Sequence, residues 1–345
     1  MLTQKLDPAD QVLAFTIGWV EALAARLDRL DVLCLEQRTS ALPSNVRVWS
    51  MGKERSVGRP AELVNFYRAL GQLIRKVDVI FCHMIPRYAV LAAPLAALHH
   101  KPMVLWYVHR QISPELRLAL AACKFIATAV PESFPLPTPR LRALGHGIDS
   151  TFYTPDPAVR RDDPPLVIHV ARLMPIKHQE TLIRALIPGM QATFIGDVLT
   201  GQGDDYVTRL RALVADLGLT NRVTFTGRLD RLAVRECYRR ATVAVNLSPP
   251  GLFDKAALES MLISTPTVVS STAFDPVLGE YASRLRIDGP DDVSGLSTRL
   301  RDLLAMPHRE QQQMAESIRA RVATAHSLPG LMDKLAALLC EAVDS

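Results

Sequence analysis

At 345 residues the chain has the length of about two domains, each large enough to bury its own core, which excludes a single small module. With 48% hydrophobic and 22% charged residues it is too apolar for disorder, and its longest apolar stretch, Ala89 to Leu98, is interrupted by Pro94 and far shorter than the roughly 20 residues that span a bilayer. The formal charge of +5 is a mild excess, with arginine spread along the whole length; it suits an anionic small molecule or a membrane surface as well as nucleic acid and decides little by itself, and no nucleic-acid partner is expected. The amino terminus is polar from Thr3 onward and lacks the basic-then-apolar order of a secretory signal, which makes a cytoplasmic location the expectation. The five cysteines are odd in number, scattered and never in C-x-x-C spacing, against both a disulfide framework and a zinc site, so most should be buried thiols.

In the first half, short apolar runs alternate with longer amphipathic segments, the pattern of β-α-β units and a parallel sheet. Strands are predicted over Leu30 to Leu35, Val46 to Trp49, Val77 to Cys82, Pro102 to Val108, Lys124 to Val130 and Arg140 to Leu144. Helices are predicted over Trp19 to Leu27, Pro60 to Arg75, Tyr88 to Leu98 and Pro114 to Ala121. Within the second of these, Leu63, Phe66, Tyr67, Leu70, Leu73 and Ile74 form the apolar stripe of a helix that packs on a sheet.

The segment Thr154 to Pro165 carries four prolines and a cluster of charges, and is read as a linker between a domain at 1–153 and a second at 166–309. The alternation then restarts. Strands are predicted over Leu166 to Val170, Gln191 to Ile195, Arg222 to Phe225, Val243 to Leu247 and Thr267 to Ser270. The helices between and after them are Gln179 to Leu186, Asp205 to Leu217, Leu232 to Arg239 and Ala256 to Leu262. Residues 310–345 read as terminal helices, Glu310 to Ala325 and Leu328 to Val343.

In open parallel sheets, ligands bind beyond the carboxyl ends of the strands. After the first strand of the second half comes Ala171-Arg172-Leu-Met-Pro-Ile-Lys177-His178, whose guanidinium and ammonium suit a diphosphate or are simply solvated. The next strand ends in Gly196-Asp197, followed by Gly201-Gln-Gly203, which lacks the third glycine of a dinucleotide fingerprint and disfavours an NAD enzyme. A third loop, Asn246-Leu-Ser248-Pro-Pro-Gly251-Leu-Phe-Asp254, enters a helix carrying Glu259, a carboxylate able to accept from a ribose diol or to serve only the helix dipole.

Taken in order, these segments resemble the retaining nucleotide-sugar glycosyltransferases of glycosyltransferase family 4. The resemblance is carried by Gly145-His-Gly-Ile-Asp149, by Val170-Ala-Arg172-Leu-Met-Pro-Ile-Lys177, by Val223-Thr-Phe-Thr-Gly227-Arg228, and by Leu258-Glu259-Ser-Met261 with Thr265-Pro266. It implies the GT-B fold, two Rossmann-like parallel-sheet domains facing each other across a cleft, with C-terminal helices able to cross back to the first domain. It also implies a hexosyltransferase-type reaction, metal-independent and without a cofactor, that moves a sugar from a UDP- or GDP-sugar to an acceptor hydroxyl with retained anomeric configuration. The acceptor is left open among a sugar, a lipid-linked sugar and a small molecule.

The resemblance assigns catalytic roles to His109, Arg172 and Lys177, and donor contacts to Glu259, Asp254, Gly251, Phe253, Gly196 and Arg228. Gly18 and His83 would lie on the acceptor side. The sequence departs from the family pattern at five positions and at its amino terminus. Gly251 stands where the first of two paired glutamates is usual, and Ala171, His178, Asp254 and Ser264 stand where glycine is usual; the resemblance makes Gln4 to Asp10 the first loop, which leaves only Met1 to Thr3 for the strand before it. Asp254 could then reach the sugar, or the chain could be a non-catalytic nucleotide-sugar-binding protein of the same fold. Arg59, Arg68, Arg75 and Lys76 flank the amphipathic helix after Pro60, which allows a peripheral membrane contact or an ordinary surface helix.

Overall fold

The computed structural model describes residues 1–10, 13–38, 41–198 and 204–344, and divides into two compact units, Met1–Gly147 with His326–Ser345, and Ile148–Ala325. The first unit opens with β1 (Leu2–Leu6), α1 (Phe15–Ala24), β2 (Leu30–Gln37), β3 (Val46–Ser50), α2 (Arg59–Leu73) and β4 (Ile80–His83). It continues through α3 (Pro86–Leu98), β5 (Met103–Trp106), α4 (Pro114–Ala122), β6 (Phe125–Thr128) and β7 (Leu141–Ala143). All seven strands pair in parallel in the order β3-β2-β1-β4-β5-β6-β7. Every residue of β4, β5 and β6 is buried, as expected of strands covered by helices on both faces. Local signals fix the helix starts: Ser113 caps α4 by accepting from the Leu116 N–H at 3.2 Å, with Pro114 in the first turn.

Two expectations for this unit change. The amino terminus is not a loop from Gln4 onward, because Leu2–Leu6 forms a five-residue strand near the middle of the sheet. The stripe along α2 is also split: Phe66, Leu70 and Leu73 are buried, whereas Leu63 and Tyr67 are exposed beside Val64. By helical spacing those exposed side chains flank the buried stripe.

The second unit contains β8 (Leu166–Val170), α5 (Gln179–Ala185), β9 (Gln191–Ile195), α6 (Asp204–Asp216), β10 (Val223–Gly227), α7 (Arg231–Arg240) and β11 (Val243–Asn246). It goes on with α8 (Lys255–Leu262), β12 (Thr267–Val269), α9 (Asp275–Leu278), α10 (Ala282–Leu285), α11 (Val293–Ala305) and α12 (His308–His326). Its five strands are parallel, in the order β10-β9-β8-β11-β12. Strand order reverses between β8 and β11, the crevice position at which ligands bind in such sheets.

The units part at Gly147/Ile148 rather than within the proline-rich stretch at 154–165. That stretch lies along α7, where the Arg239 guanidinium donates to the Thr154 carbonyl at 2.9 Å and Arg240 pairs with Asp162 at 2.8 Å. The terminal helices separate as well. α12 stays with the second unit, with Arg319 donating to the Leu262 carbonyl at 2.9 Å, while α13 (Leu328–Asp344) joins the first. There Leu331, Met332, Leu335 and Leu339 are buried, and Lys124 donates to the Ala342 carbonyl at 3.0 Å.

Candidate functional site

The loops at the carboxyl ends of β8, β9 and β11 are drawn together by backbone contacts that only particular residues allow. Gly196, just past β9, has φ +142°, and its N–H donates to the Gly227 carbonyl at 2.9 Å. A Cβ at Gly196 would stand 2.1 Å from the Ala171 carbonyl oxygen, so the absence of a side chain there is what lets the β8 and β9 loops touch. The Leu173 N–H in turn donates to the Asp197 carbonyl at 3.1 Å, and Gln179 Nε2 donates to the Arg172 carbonyl at 2.9 Å. These bonds fix the Arg172 backbone while its side chain is exposed. Arg228, after β10, is exposed as well.

Lys177 and Asp254 meet across the switch point. Lys177, in the turn before α5, forms an ion pair with Asp254, which immediately precedes α8. The ammonium also donates to Ser248 Oγ at 3.0 Å. The Ser248 hydroxyl donates to Asp254, and Asn246 Nδ2 reaches the same carboxylate oxygen at 3.1 Å. Burial alone would raise the Asp254 carboxyl, but the Lys177 charge and the three donors outweigh it and hold it below the ordinary carboxylate range. His169 lies beneath this group on β8, 1% exposed; burial first and the Lys177 charge second lower its pKa to about 4, so it is neutral.

Glu259 occupies a second polar group on α8. Burial raises its carboxyl above the usual range, against the nearby Lys255 charge and a hydrogen bond with the Tyr153 side chain. Burial lowers Lys255 to about 8. Arg231 covers the Phe152 ring at 4.4 Å from its centroid, which ties the segment after Ile148 to α7 and sets Tyr153 against α8.

The other residues assigned from sequence are placed as follows. Gly251 is buried in the loop with φ +82°. Phe253 is 5% exposed and packs against Phe274 with centroids 4.5 Å apart, so its ring is part of the core. Asp254 faces Lys177 rather than standing open toward a sugar, because three donors converge on one of its oxygens. In the first unit, His109 is exposed beyond β5, its ring edge-on to Tyr107. His83 is 1% exposed, bonded to Thr3 Oγ1 at 3.1 Å and enclosed by Phe15, Trp19 and Phe81, which leaves it no open face for an acceptor. Gly18 is not in a turn but inside α1, 3.8 Å by its would-be Cβ from Leu328 of α13. Gly201 to Gly203 lie outside the described residues.

Sequence reasoning did not single out Asn246, Ser248, Lys255, Tyr153 or His169. For Asn246 and Ser248 a signal exists: polar side chains end an otherwise buried apolar strand at the carboxyl edge of the sheet.

Comparison with known proteins fits this geometry. Residues 164–306 match the family model Glycosyl transferases group 1. The D-inositol 3-phosphate glycosyltransferase of Acidothermus cellulolyticus is 31% identical over 169 residues, 44% of this chain and 38% of that protein. The GDP-mannose-dependent alpha-(1-6)-phosphatidylinositol monomannoside mannosyltransferase of Mycolicibacterium smegmatis is 29% identical over 197 residues, 50% of this chain and 49% of that protein. The chain thus matches less than half the length of these curated relatives. Among solved structures, Anabaena Alr3699/HepE in complex with UDP and glucose superposes with a TM-score of 0.74 at 18% identity, covering 98% of this chain and 99% of the other. Sucrose-phosphate synthase from Thermosynechococcus elongatus gives 0.75 at 19% identity, with 99% and 98% covered. The chain has the GT-B fold, with a parallel-sheet α/β unit in each half.

Proposed function

We propose that the chain is a retaining glycosyltransferase that moves a sugar from a UDP- or GDP-sugar to an acceptor hydroxyl without a metal ion, in glycan, glycolipid or glycoconjugate synthesis. The observation that carries the reading is the cation pair Arg172 and Lys177 at the carboxyl end of β8, inside the segment that matches the glycosyltransferase model. A sugar leaves a nucleotide diphosphate with charge developing on the β-phosphate. Cations held at a strand end stabilise that charge. Arg172 can present a planar fork to two phosphate oxygens, and its backbone is already held by Gln179. Glu259, with its raised pKa, accepts from the ribose diol, Gly196 leaves room for the phosphates, and Arg228 lies toward the base. His109 is the catalytic residue proposed in the first unit. Front-face attack by the acceptor oxygen needs no protein nucleophile and retains configuration.

Relatives support the donor class. One is a GDP-mannose-dependent mannosyltransferase, and one structural neighbour was solved with UDP and glucose. Saturation-transfer NMR against a panel of UDP- and GDP-sugars, followed by donor hydrolysis assays, tests the reading. Arg172→Ala should lower kcat by about 100-fold, the usual cost of one transition-state charge contact. A chain that binds none of these nucleotides sinks the proposal. The second reading, a nucleotide-sugar-binding protein without turnover, is favoured by Gly251 in place of a glutamate; binding without transfer or hydrolysis for any donor would select it. As part of the same proposal, the outer face of α2 serves as a peripheral contact with an anionic membrane.

A further inference from the structure

Asp254 stands immediately before α8, the helix position at which an aspartate usually turns its carboxylate onto the N–H groups of the first turn. Here it makes no such cap. Its carboxylate turns the other way, onto Lys177, Ser248 and Asn246, so that an ammonium, a hydroxyl and an amide all address one oxygen. Three converging donors at a sheet's switch point form an anion site, and in this chain a residue of the protein fills it. The first turn of α8 is left without its side-chain cap at the same time. The Asp254 backbone, φ −76° and ψ 136°, is ordinary, so no conformational demand placed the carboxylate there.

We infer that Asp254 is an internal competitor for the anion site around Lys177, so that a phosphate-bearing ligand gains Lys177 only by displacing this carboxylate, which can then swing to cap α8. The inference rests on the proposed function for the identity of the ligand, but not for the existence of the anion site. Binding in the unaltered chain is therefore attenuated. Arg172, whose side chain is exposed, is open to a phosphate at once, whereas the Lys177 contact requires the Asp254 carboxylate to leave.

The test is isothermal titration of the full chain with pyrophosphate, UDP and GDP. Asp254→Asn keeps the shape of the side chain and removes its charge; Asp254→Gly removes both. Each should bind pyrophosphate about tenfold more tightly than the parent, the scale of one partly buried charge contact. Adding Lys177→Ala to Asp254→Asn should erase that gain. In the parent, Lys177→Ala should weaken pyrophosphate binding, but by less than about tenfold, a measurement that stands even if the Asp254 variants fold poorly. Unchanged or weaker pyrophosphate binding in both folded Asp254 variants, or a tenfold loss on Lys177→Ala in the parent, overturns the inference. The two readings fail separately. A gain for pyrophosphate with no nucleotide binding removes the nucleotide-sugar donor and keeps the competitor, whereas a parent that binds UDP or GDP with no gain in either variant does the reverse.

Discussion

Ser264 and His178 hold left-handed backbone, at φ +63° and +50°, in two of the positions where the family resemblance expects glycine. An L-residue there costs about 1–2 kcal/mol. His178 gains a partial return from its contact with Asp291 at 2.7 Å. Ser264 is the cleaner case, and Ser264→Gly should stabilise the protein by about 1 kcal/mol, read as a higher urea midpoint at unchanged slope. Gly251→Glu should do the opposite, because Gly251 sits at φ +82° and a side chain there is strained. A midpoint that falls for Ser264→Gly or rises for Gly251→Glu contradicts this account. At this scale the sequence was legible for chemistry and not for pairing. Arg172 and Lys177 could be picked out from the loop after a strand, and Glu259 from the helix that the third loop enters. That Lys177 would be met by a carboxylate 77 positions away could not, since spacing along a chain carries no information about contacts across a switch point.

Helix α13 shows what the element scale adds. Its docking surface is made partly of glycines on the first unit: Gly18 in α1 faces Leu328 at ordinary contact distance, and Gly147 would bring a Cβ within 2.9 Å of both Leu328 and Leu331. The two sites predict opposite signs. Gly18→Ala replaces glycine inside a helix with room for the methyl, and should add up to about 1 kcal/mol of stability. Gly147→Ala makes the Leu328 and Leu331 side chains give way and should cost about 1 kcal/mol, with faster amide exchange concentrated in α13. Equal effects of the two substitutions would mean that α13 does not rest on these glycines. Most strands could be read from hydrophobic runs, and β8 and β9 fall on their predicted bounds, because buried parallel strands are short apolar blocks. β1 escaped because Thr3, Gln4 and Lys5 break its apolar run. α11 went unread although Leu296, Leu300 and Leu303 keep helical spacing.

For the whole molecule, the outer face of α2 has the most to say about partners. Among the described residues no helix is long and apolar enough to cross a membrane, so any membrane contact of these elements is made at a surface. Leu63, Val64 and Tyr67 are 42%, 55% and 37% exposed, and exposed Arg59, Arg68, Arg75 and Lys76 lie along the same helix and just past its end. In the proposed membrane contact these apolar side chains enter the headgroup region, and each cation adds about 1 kcal/mol near an anionic leaflet. The full chain should therefore cosediment with vesicles containing phosphatidylserine and not with phosphatidylcholine alone. Arg68→Glu combined with Arg75→Glu should abolish binding, and raising the salt should mimic that loss, because exposed charges are screened. Leu63→Ser combined with Val64→Ser should weaken binding at every salt concentration, which separates insertion from simple charge attraction. Cosedimentation indifferent to the charge reversal would remove α2 from any role at a membrane and leave its exposed apolar residues as an ordinary surface.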